Sequence, residues 1–192
     1  LEEPLTLSKQ KMTRLDLYDN TWYNPGASIL TRILWFFTNA LFFLNPLNPS
    51  SGIKVALLRL FGAKVGKGVT IKPGVNIKYP WLLEIGSHVW VGEEVWIDNL
   101  VRVKIKNHVC LSQGAMLLTG SHDYKKQTFD LRVNGIDLEE GVWIGAKAVV
   151  CLGVICREHS VLAVQSVATH DLEAFGIYQG NPAVWKRQRT IE

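Results

Sequence analysis

Acidic residues are absent from one long stretch of this chain. Between Asp19 and Glu84 there is none, while Arg32, Lys54, Arg59, Lys64, Lys67, Lys72 and Lys78 all fall inside it. Such a segment either faces something anionic or keeps the chain soluble. Cysteine is scarce and odd in number: Cys110, Cys151 and Cys156 follow neither a disulfide nor a metal-site spacing. A reducing compartment follows, and a cytoplasmic location is expected. The opening residues are polar and charged and lack the basic–apolar–small order of a signal peptide. No uninterrupted apolar run approaches the ~20 residues of a membrane span. The best candidate, 29–45, is broken by Thr31-Arg32 and Thr38-Asn39. Low-complexity sequence is also missing. A chain of 192 residues with 47% apolar and 20% charged content reads as one globular domain.

What the chain has in abundance is a six-residue beat. Aliphatic residues recur at Val65, Ile71 and Ile77, then at Ile85, Val91 and Ile97, then at Ile105, Leu111 and Leu117. They resume at Leu138, Ile144, Val150, Cys156 and Leu162. Gly often follows the beat residue (Gly66, Gly86, Gly92, Gly145), and a small or β-branched residue sits four places on, as at Val75, Val95, Ala115 and Val142. Neither an α-helix nor a two-sided strand has this period. Repeats this short mark a parallel β-helix. Each hexad makes one short strand and one turn, and three hexads complete a triangular coil. The beat residue points into the prism, and Gly after it suits a corner that needs positive φ. The period predicts about five coils. A sandwich of short strands is the competing architecture, and four registered runs speak against it.

Residues 1–62 form an N-terminal segment of irregular chain and apolar helices. Residues 63–175 form the β-helix, interrupted by a loop at 118–137, and 176–192 form a basic tail. The pattern predicts an aromatic-rich helix over 29–45, stopped by Pro46 and Pro49, and a second over 53–61, stopped at Gly62. Two explanations of the first helix stand open. It caps the open end of the prism and hides strand edges, or it lies peripherally in a membrane interface beside the basic residues.

The beat breaks three times: around Tyr79-Pro80-Trp81, between Ile97 and Ile105, and from Leu118 to Asp137. A rigid scaffold interrupted by one long polar loop places chemistry on that loop. His122 stands at its base in the order Gly120-Ser121-His122-Asp123. An imidazole there can take a proton from a hydroxyl or amine nucleophile. His88, His108, His159 and His170 fall at turn positions. A zinc centre needs imidazoles that converge; no close pair with the required spacing occurs, and no metal is expected.

These features resemble the hexapeptide-repeat acyltransferases, with the nearest likeness in the colanic acid biosynthesis acetyltransferase branch. The likeness is carried by Leu57-Leu58-Arg59-Leu60-Phe61-Gly62-Ala63-Lys64-Val65-Gly66, Tyr79-Pro80-Trp81, Thr119-Gly120-Ser121-His122-Asp123 and Gly180-Asn181-Pro182-Ala183. The resemblance implies an all-β fold, a left-handed parallel β-helix, and a homotrimer with active sites between neighbouring prisms. It implies acetyl-coenzyme A (acetyl-CoA) as donor and His122 as general base, with Asp123 or a main-chain carbonyl holding the imidazole tautomer. The coenzyme would lie along Trp143, Gly145, Ala146, Ala163, Val164 and Thr169. Lys186 and Arg187 would meet its phosphates, since Val184 stands where some relatives carry arginine. Trp143 is either a platform for the pantetheine arm or an exposed aromatic at an interface.

Trp90, Glu94, Trp96, Asp98 and Asn99, with Ser121, are candidates for a carbohydrate acceptor, whose C–H faces and hydroxyls suit aromatic rings and carboxylates. The alternative is that they line a subunit seam. The implied activity is O-acetylation of a sugar in a cell-surface polysaccharide or its lipid-linked precursor. An amino sugar, an amino acid or a drug as acceptor, or a non-catalytic scaffold, are the other readings. Nucleic acid is not expected as a partner.

Overall fold

The beat residues from Ile71 to Leu162 are all buried, and so are the small residues four places on from Val75 to Val154. Two inward positions per hexad fill the interior of a prism with aliphatic side chains. The computed structural model describes residues 11–192, so the start of the N-terminal segment lies outside the described residues. The first coil is β1 (Lys64–Val65), β2 (Thr70–Ile71) and β3 (Asn76–Ile77). The second is β4 (Leu83–Ile85), β5 (Trp90–Val91) and β6 (Trp96–Asp98), and the third is β7 (Val103–Ile105), β8 (Cys110–Leu111) and β9 (Met116–Leu118). A hairpin of β10 (Gly120–His122) and β11 (Leu131–Val133) then leaves the prism. The fourth coil is β12 (Ile136–Leu138), β13 (Trp143–Ile144) and β14 (Val149–Val150), and the fifth is β15 (Ile155–Cys156), β16 (Val161–Leu162) and β17 (Val167–Ala168). Leu172, bridged to Cys156, and β18 (Gly176–Gly180) begin a sixth turn beyond those the period counts.

The result is a left-handed parallel β-helix. Its first face stacks β1, β4, β7, β12 and β15. Its second stacks β2, β5, β8, β13, β16 and β18, with β19 (Ala183–Gln188) antiparallel at the edge, and its third stacks β3, β6, β9, β14 and β17. The segment read as a basic tail is therefore largely a hairpin, β18–β19, that closes the second face. Asn181-Pro182 makes its turn, between the paired Gly180 and Ala183.

One expectation about the corners is overturned. The glycines after the beat do not have positive φ. The left-handed residues come two places later: Gly68, Gly74, His88, Glu94, His108, Gly114, Gly141, Lys147, Gly153, His159 and Gln165. Side chains are tolerated there because they point out of the prism; the rings of His88 and His108 stack 5.3 Å apart. Gly after the beat answers a different demand, the close approach of the next coil. A Cβ on Gly66 would lie 2.6 Å from the carbonyl carbon of Gly86, and one on Gly145 2.6 Å from the amide nitrogen of Val164.

The N-terminal helices close the open end of the prism. Helix α1 (Ile29–Thr38) starts at Ser28, whose hydroxyl accepts from Thr31 N–H, and runs into a π-helical turn, Asn39–Phe43. Helix α2 (Ser51–Leu60) starts at Ser50 and stops at Gly62, where Gly62 N–H donates to Arg59 and Ala63 N–H to Leu58. The free edge of β2 is met by α2: the Ser51 hydroxyl accepts from Ile71 N–H at 2.9 Å and donates to Ile71 C=O at 3.2 Å. Lys54, with no exposed surface, donates to the carbonyls of Ile71 at 3.3 Å and Lys72 at 2.9 Å. Burial lowers its pKa, and these carbonyls are its compensation. Lys54→Met keeps the stem and leaves both carbonyls without this partner. We expect a loss of about 1–3 kcal/mol, read as a lower urea midpoint at unchanged slope.

Helix α1 is amphipathic in the inverted sense. Its inner side and the turn after it serve the protein: the Trp35 indole N–H donates to Ile77 C=O at 2.8 Å, and in the π-helical turn the Asn39 amide bonds Asn76 at 2.8 Å. Ile29, Leu30, Ile33, Leu34, Phe36 and Phe37 all face outward. Among the described residues no helix is long and apolar enough to cross a membrane.

Candidate active site

All three breaks in the beat fall on one edge of the prism, where the third face gives way to the first. The insertions at 79–82, 99–102 and 119–135 stack there, coil on coil. Polar side chains tie them together. The Asn99 amide donates to Tyr79 C=O at 2.6 Å and accepts from Tyr79 N–H at 3.0 Å. The Thr119 hydroxyl accepts from Leu100 N–H at 2.8 Å and donates to Asp98 C=O at 3.0 Å. The last insertion is the β10–β11 hairpin, an ordered antiparallel ribbon rather than an irregular loop.

His122 ends β10, half-buried. Its Nδ1 lies 2.9 Å from the Phe129 carbonyl oxygen. A carbonyl can only accept, so Nδ1 carries a proton, and in the neutral ring Nε2 keeps its lone pair. Phe129 adopts φ of 52°, a conformation that β-carbon sterics disfavour. Its ring stacks on the imidazole with centroids 4.4 Å apart and planes 6° from parallel. Tyr18 packs on His122 at 5.5 Å, tilted by 59°. The imidazole is thus held by two rings and one main-chain acceptor.

Among the described residues Asp123 makes no hydrogen bond to the ring. Its carboxylate accepts from Lys125 N–H at 3.1 Å and caps the hairpin turn. Of the two groups that the resemblance offers for holding the tautomer, the main-chain carbonyl is the one in contact, as Phe129 C=O on Nδ1. Sequence could name a main-chain carbonyl as an alternative but not which one, because the carbonyl's aim depends on one left-handed residue, Phe129.

The N-terminal segment lies over the same edge. Arg14 N–H donates to Gln127 C=O at 2.8 Å, the Tyr23 hydroxyl to Leu100 C=O at 2.5 Å, and the Trp81 indole to Pro25 C=O at 2.6 Å. Tyr18, Asn20, Thr21, Tyr23, Leu100 and Leu131 line a cavity of about 510 Å³, and the Tyr18 ring in its wall is the one that packs on His122. Burial, then the neighbouring Tyr79 and Asp98, raise the pKa of Tyr23 and keep it a neutral donor. The aromatic density of 18–23 was the one sequence signal for this wall.

Over 168 residues the chain is 36% identical to the protein named "Putative colanic acid biosynthesis acetyltransferase WcaF" of Escherichia coli strain K12, spanning 88% of this chain and 92% of that one. The chain belongs to the hexapeptide-repeat acetyltransferases. No protein-family model matches it. A hexapeptide-repeat acetyltransferase from Vibrio cholerae, solved with acetyl-CoA, shares the fold at a TM-score of 0.76 and 24% identity, over 86% of this chain and 92% of that one. A galactoside acetyltransferase solved with coenzyme A aligns at a TM-score of 0.73 and 20% identity, over 84% and 82% of the two chains.

This acetyltransferase brings some of the expected residues together and separates others. Gly145 and Ala146 stack directly under Ala163 and Val164 at the corner between the second and third faces, with Gln165 N–H donating to Ala146 C=O at 2.9 Å. Trp143 stands exposed on the second face beside them, its indole donating to the Ser112 hydroxyl at 2.9 Å. Thr169 sits one corner away, against His170. Lys186 and Arg187 are exposed on β19. Arg189 is bound to the scaffold through the carbonyls of Gly141 and His159.

The acceptor group is split. Trp90 lies on the second face, where the Lys72 ammonium sits 5.0 Å from its ring. Trp96 and Asp98 lie on the third, with Glu94 at the corner between, at φ of 59°. Asn99 is fully buried and spent on Tyr79, so it is withdrawn from substrate contact. Ser121 is exposed on β10 opposite Arg132. Consecutive hexads carry residues to different faces, which the linear clustering concealed. Burial pushes up the pKa of all three cysteine thiols, Cys156 most, which leaves no thiolate nucleophile among them.

Proposed function

We propose that the protein transfers the acetyl group of acetyl-CoA to a hydroxyl of a carbohydrate acceptor, with His122 as general base. The observation that carries this is the Nδ1–H bond to the Phe129 carbonyl, which leaves Nε2 to accept. The acceptor hydroxyl gives its proton to Nε2 as its oxygen bonds the thioester carbonyl carbon. The tetrahedral intermediate then expels the coenzyme thiolate as the C–S bond breaks, and the imidazolium returns the proton to sulfur. No acyl-enzyme forms. The cavity walled by Tyr18 and Tyr23 offers the acceptor two aromatic faces and phenolic oxygens.

The stacked strip Gly145–Ala146 over Ala163–Val164, with Trp143, supports coenzyme binding along the corner of the last coils. Lys186 and Arg187 supply cations for its phosphates. In the homotrimer that the fold family implies, this strip on one prism faces the His122 hairpin of the next. Sedimentation equilibrium checks the assembly: a monomer at assay concentrations contradicts it.

Thiol release from acetyl-CoA, followed against a panel of sugar hydroxyl and amino-sugar acceptors, tests the reaction. Hydroxyl acceptors are expected to stimulate release and amines not. Stimulation by amines alone assigns N-acetylation instead.

A further inference from the structure

Phe129 stands apart from the other left-handed side chains. Among the described residues, the other non-glycine residues of positive φ lie at prism corners, as His88 and Lys147 do, whereas Phe129, at φ of 52°, lies in the hairpin turn. The turn fixes it there from both sides. Asp123 N–H donates to Asp130 C=O at 2.8 Å, and Phe129 N–H donates to Lys126 C=O at 3.1 Å. The Lys126 ammonium lies 2.7 Å from the Asp130 carboxylate. Glycine would meet this backbone demand without the steric cost that a β-carbon brings. A side chain kept there against that cost points to a function for the ring. What the ring touches is the imidazole of His122, with centroids 4.4 Å apart and planes 6° from parallel.

The Phe129 carbonyl alone cannot aim the base. One hydrogen bond at Nδ1 fixes a single point of the imidazole, and the ring can still swing about that contact. The Nε2 lone pair lies in the ring plane, so its direction is set only when the plane is set as well. A flat ring stacked 6° from parallel sets that plane. We propose that Phe129 is a positioning residue: its side chain fixes the plane of His122 while its main chain fixes the proton, and together they aim Nε2 at the acceptor hydroxyl. This rests on the O-acetyl transfer reading and adds a residue to it. Aim matters to this step because the proton leaves the hydroxyl as the oxygen attacks, so a base turned away costs rate and not binding. Tyr18 differs. Its ring also touches the imidazole, tilted by 59°, but it lines the cavity as well, so its loss should disturb acceptor binding together with rate.

The test is steady-state kinetics of Phe129→Leu, Phe129→Gly and Phe129→Tyr. Leucine keeps an apolar side chain and loses the flat face. Glycine suits the positive φ, keeps the carbonyl and loses the ring. Tyrosine keeps both ring and carbonyl. Phe129→Leu and Phe129→Gly should each lower kcat about 10–100-fold, the cost of misplacing reacting groups by up to about 1 Å, with the KM for acetyl-CoA and for the acceptor unchanged. Phe129→Tyr should stay within about threefold of the parent. In a His122→Ala background, Phe129→Leu should change the residual rate by less than about twofold, because the ring acts through the imidazole. Parental activity in Phe129→Leu or Phe129→Gly overturns the proposal. So does a raised acceptor KM at unchanged kcat, which assigns the ring to acceptor contact. An equal loss in both backgrounds also overturns it, since that marks a general structural role. Histidine-ring NMR, with His122 assigned from the His122→Ala spectrum, separates this proposal from the reading it rests on. If no acceptor is acetylated, the transfer reading fails, while a His122 ring signal that is sharp in the parent and exchange-broadened in Phe129→Leu upholds the positioning. If His122→Ala abolishes transfer and the Leu and Gly variants match the parent, the positioning fails and the transfer reading stands.

Discussion

His122→Ala is expected to lower kcat by about 10²–10⁴-fold, the range a positioned general base supplies, with the KM for acetyl-CoA little changed. The loss should be large because no neighbour of the imidazole among the described residues is a free base that can replace it. Asp123 is engaged by Lys125 N–H, and Tyr18 is a phenol in contact with the ring. The residual rate of the variant should climb with pH, as the acceptor hydroxyl ionises without help. Steady-state kinetics over a pH series read both effects. Asp123→Asn is the informative companion. With the tautomer held by the Phe129 carbonyl at 2.9 Å, it should stay within a few-fold of the parent enzyme. A defect as deep as that of His122→Ala would return the orienting role to Asp123 and sink the main-chain account.

Gly86→Val should be among the most damaging single substitutions in the scaffold. A Cβ on Gly86 lies 2.7 Å from the backbone nitrogen of Asn107 and 2.7 Å from the carbonyl carbon of Lys106. Those atoms cannot withdraw, because Gly86 N–H donates to Ile105 C=O at 2.7 Å and holds the coils at their spacing. Valine adds two methyl groups to that clash. The expected loss is about 3 kcal/mol, the upper end of overpacking costs, or a fall in Tm of about 6–12 °C for a chain of this size. Gly52 provides the control. Nothing lies within 4 Å of its Cβ position, and it sits in α2, so Gly52→Ala should raise stability by about 0.5 kcal/mol. Thermal melts of the two variants beside the parent decide the matter. A Gly86→Val protein as stable as the parent would show that the coils are not held this close.

Much of the fold was legible because the prism repeats one local problem. Each hexad must turn an aliphatic side chain inward, and Ile71, Ile97 and Leu117 state that demand directly. The position of His122 was legible too, since it stands at the base of the largest interruption of an otherwise regular pattern. The acceptor side was not. Trp90 and Trp96 stand six apart in sequence and read as one cluster, yet one corner of the prism lies between them. Asn99 looked like a polar surface residue, while the stacking of coils spends its amide on Tyr79, twenty residues back. The role of glycine after the beat was misread for a related reason. Positive φ is a local property, but the approach of Gly145 to Val164 arises only once two coils are stacked.

The chain's own order of residues determined the prism, the place where it is interrupted and the presence of a single histidine there, because all three follow from a period that neighbouring residues enforce. Tertiary structure alone decided which main-chain oxygen accepts from Nδ1–H and which wall the N-terminal aromatics build. Those outcomes depend on backbone angles at a few corners and on contacts between segments far apart in sequence, and neither leaves a periodic trace.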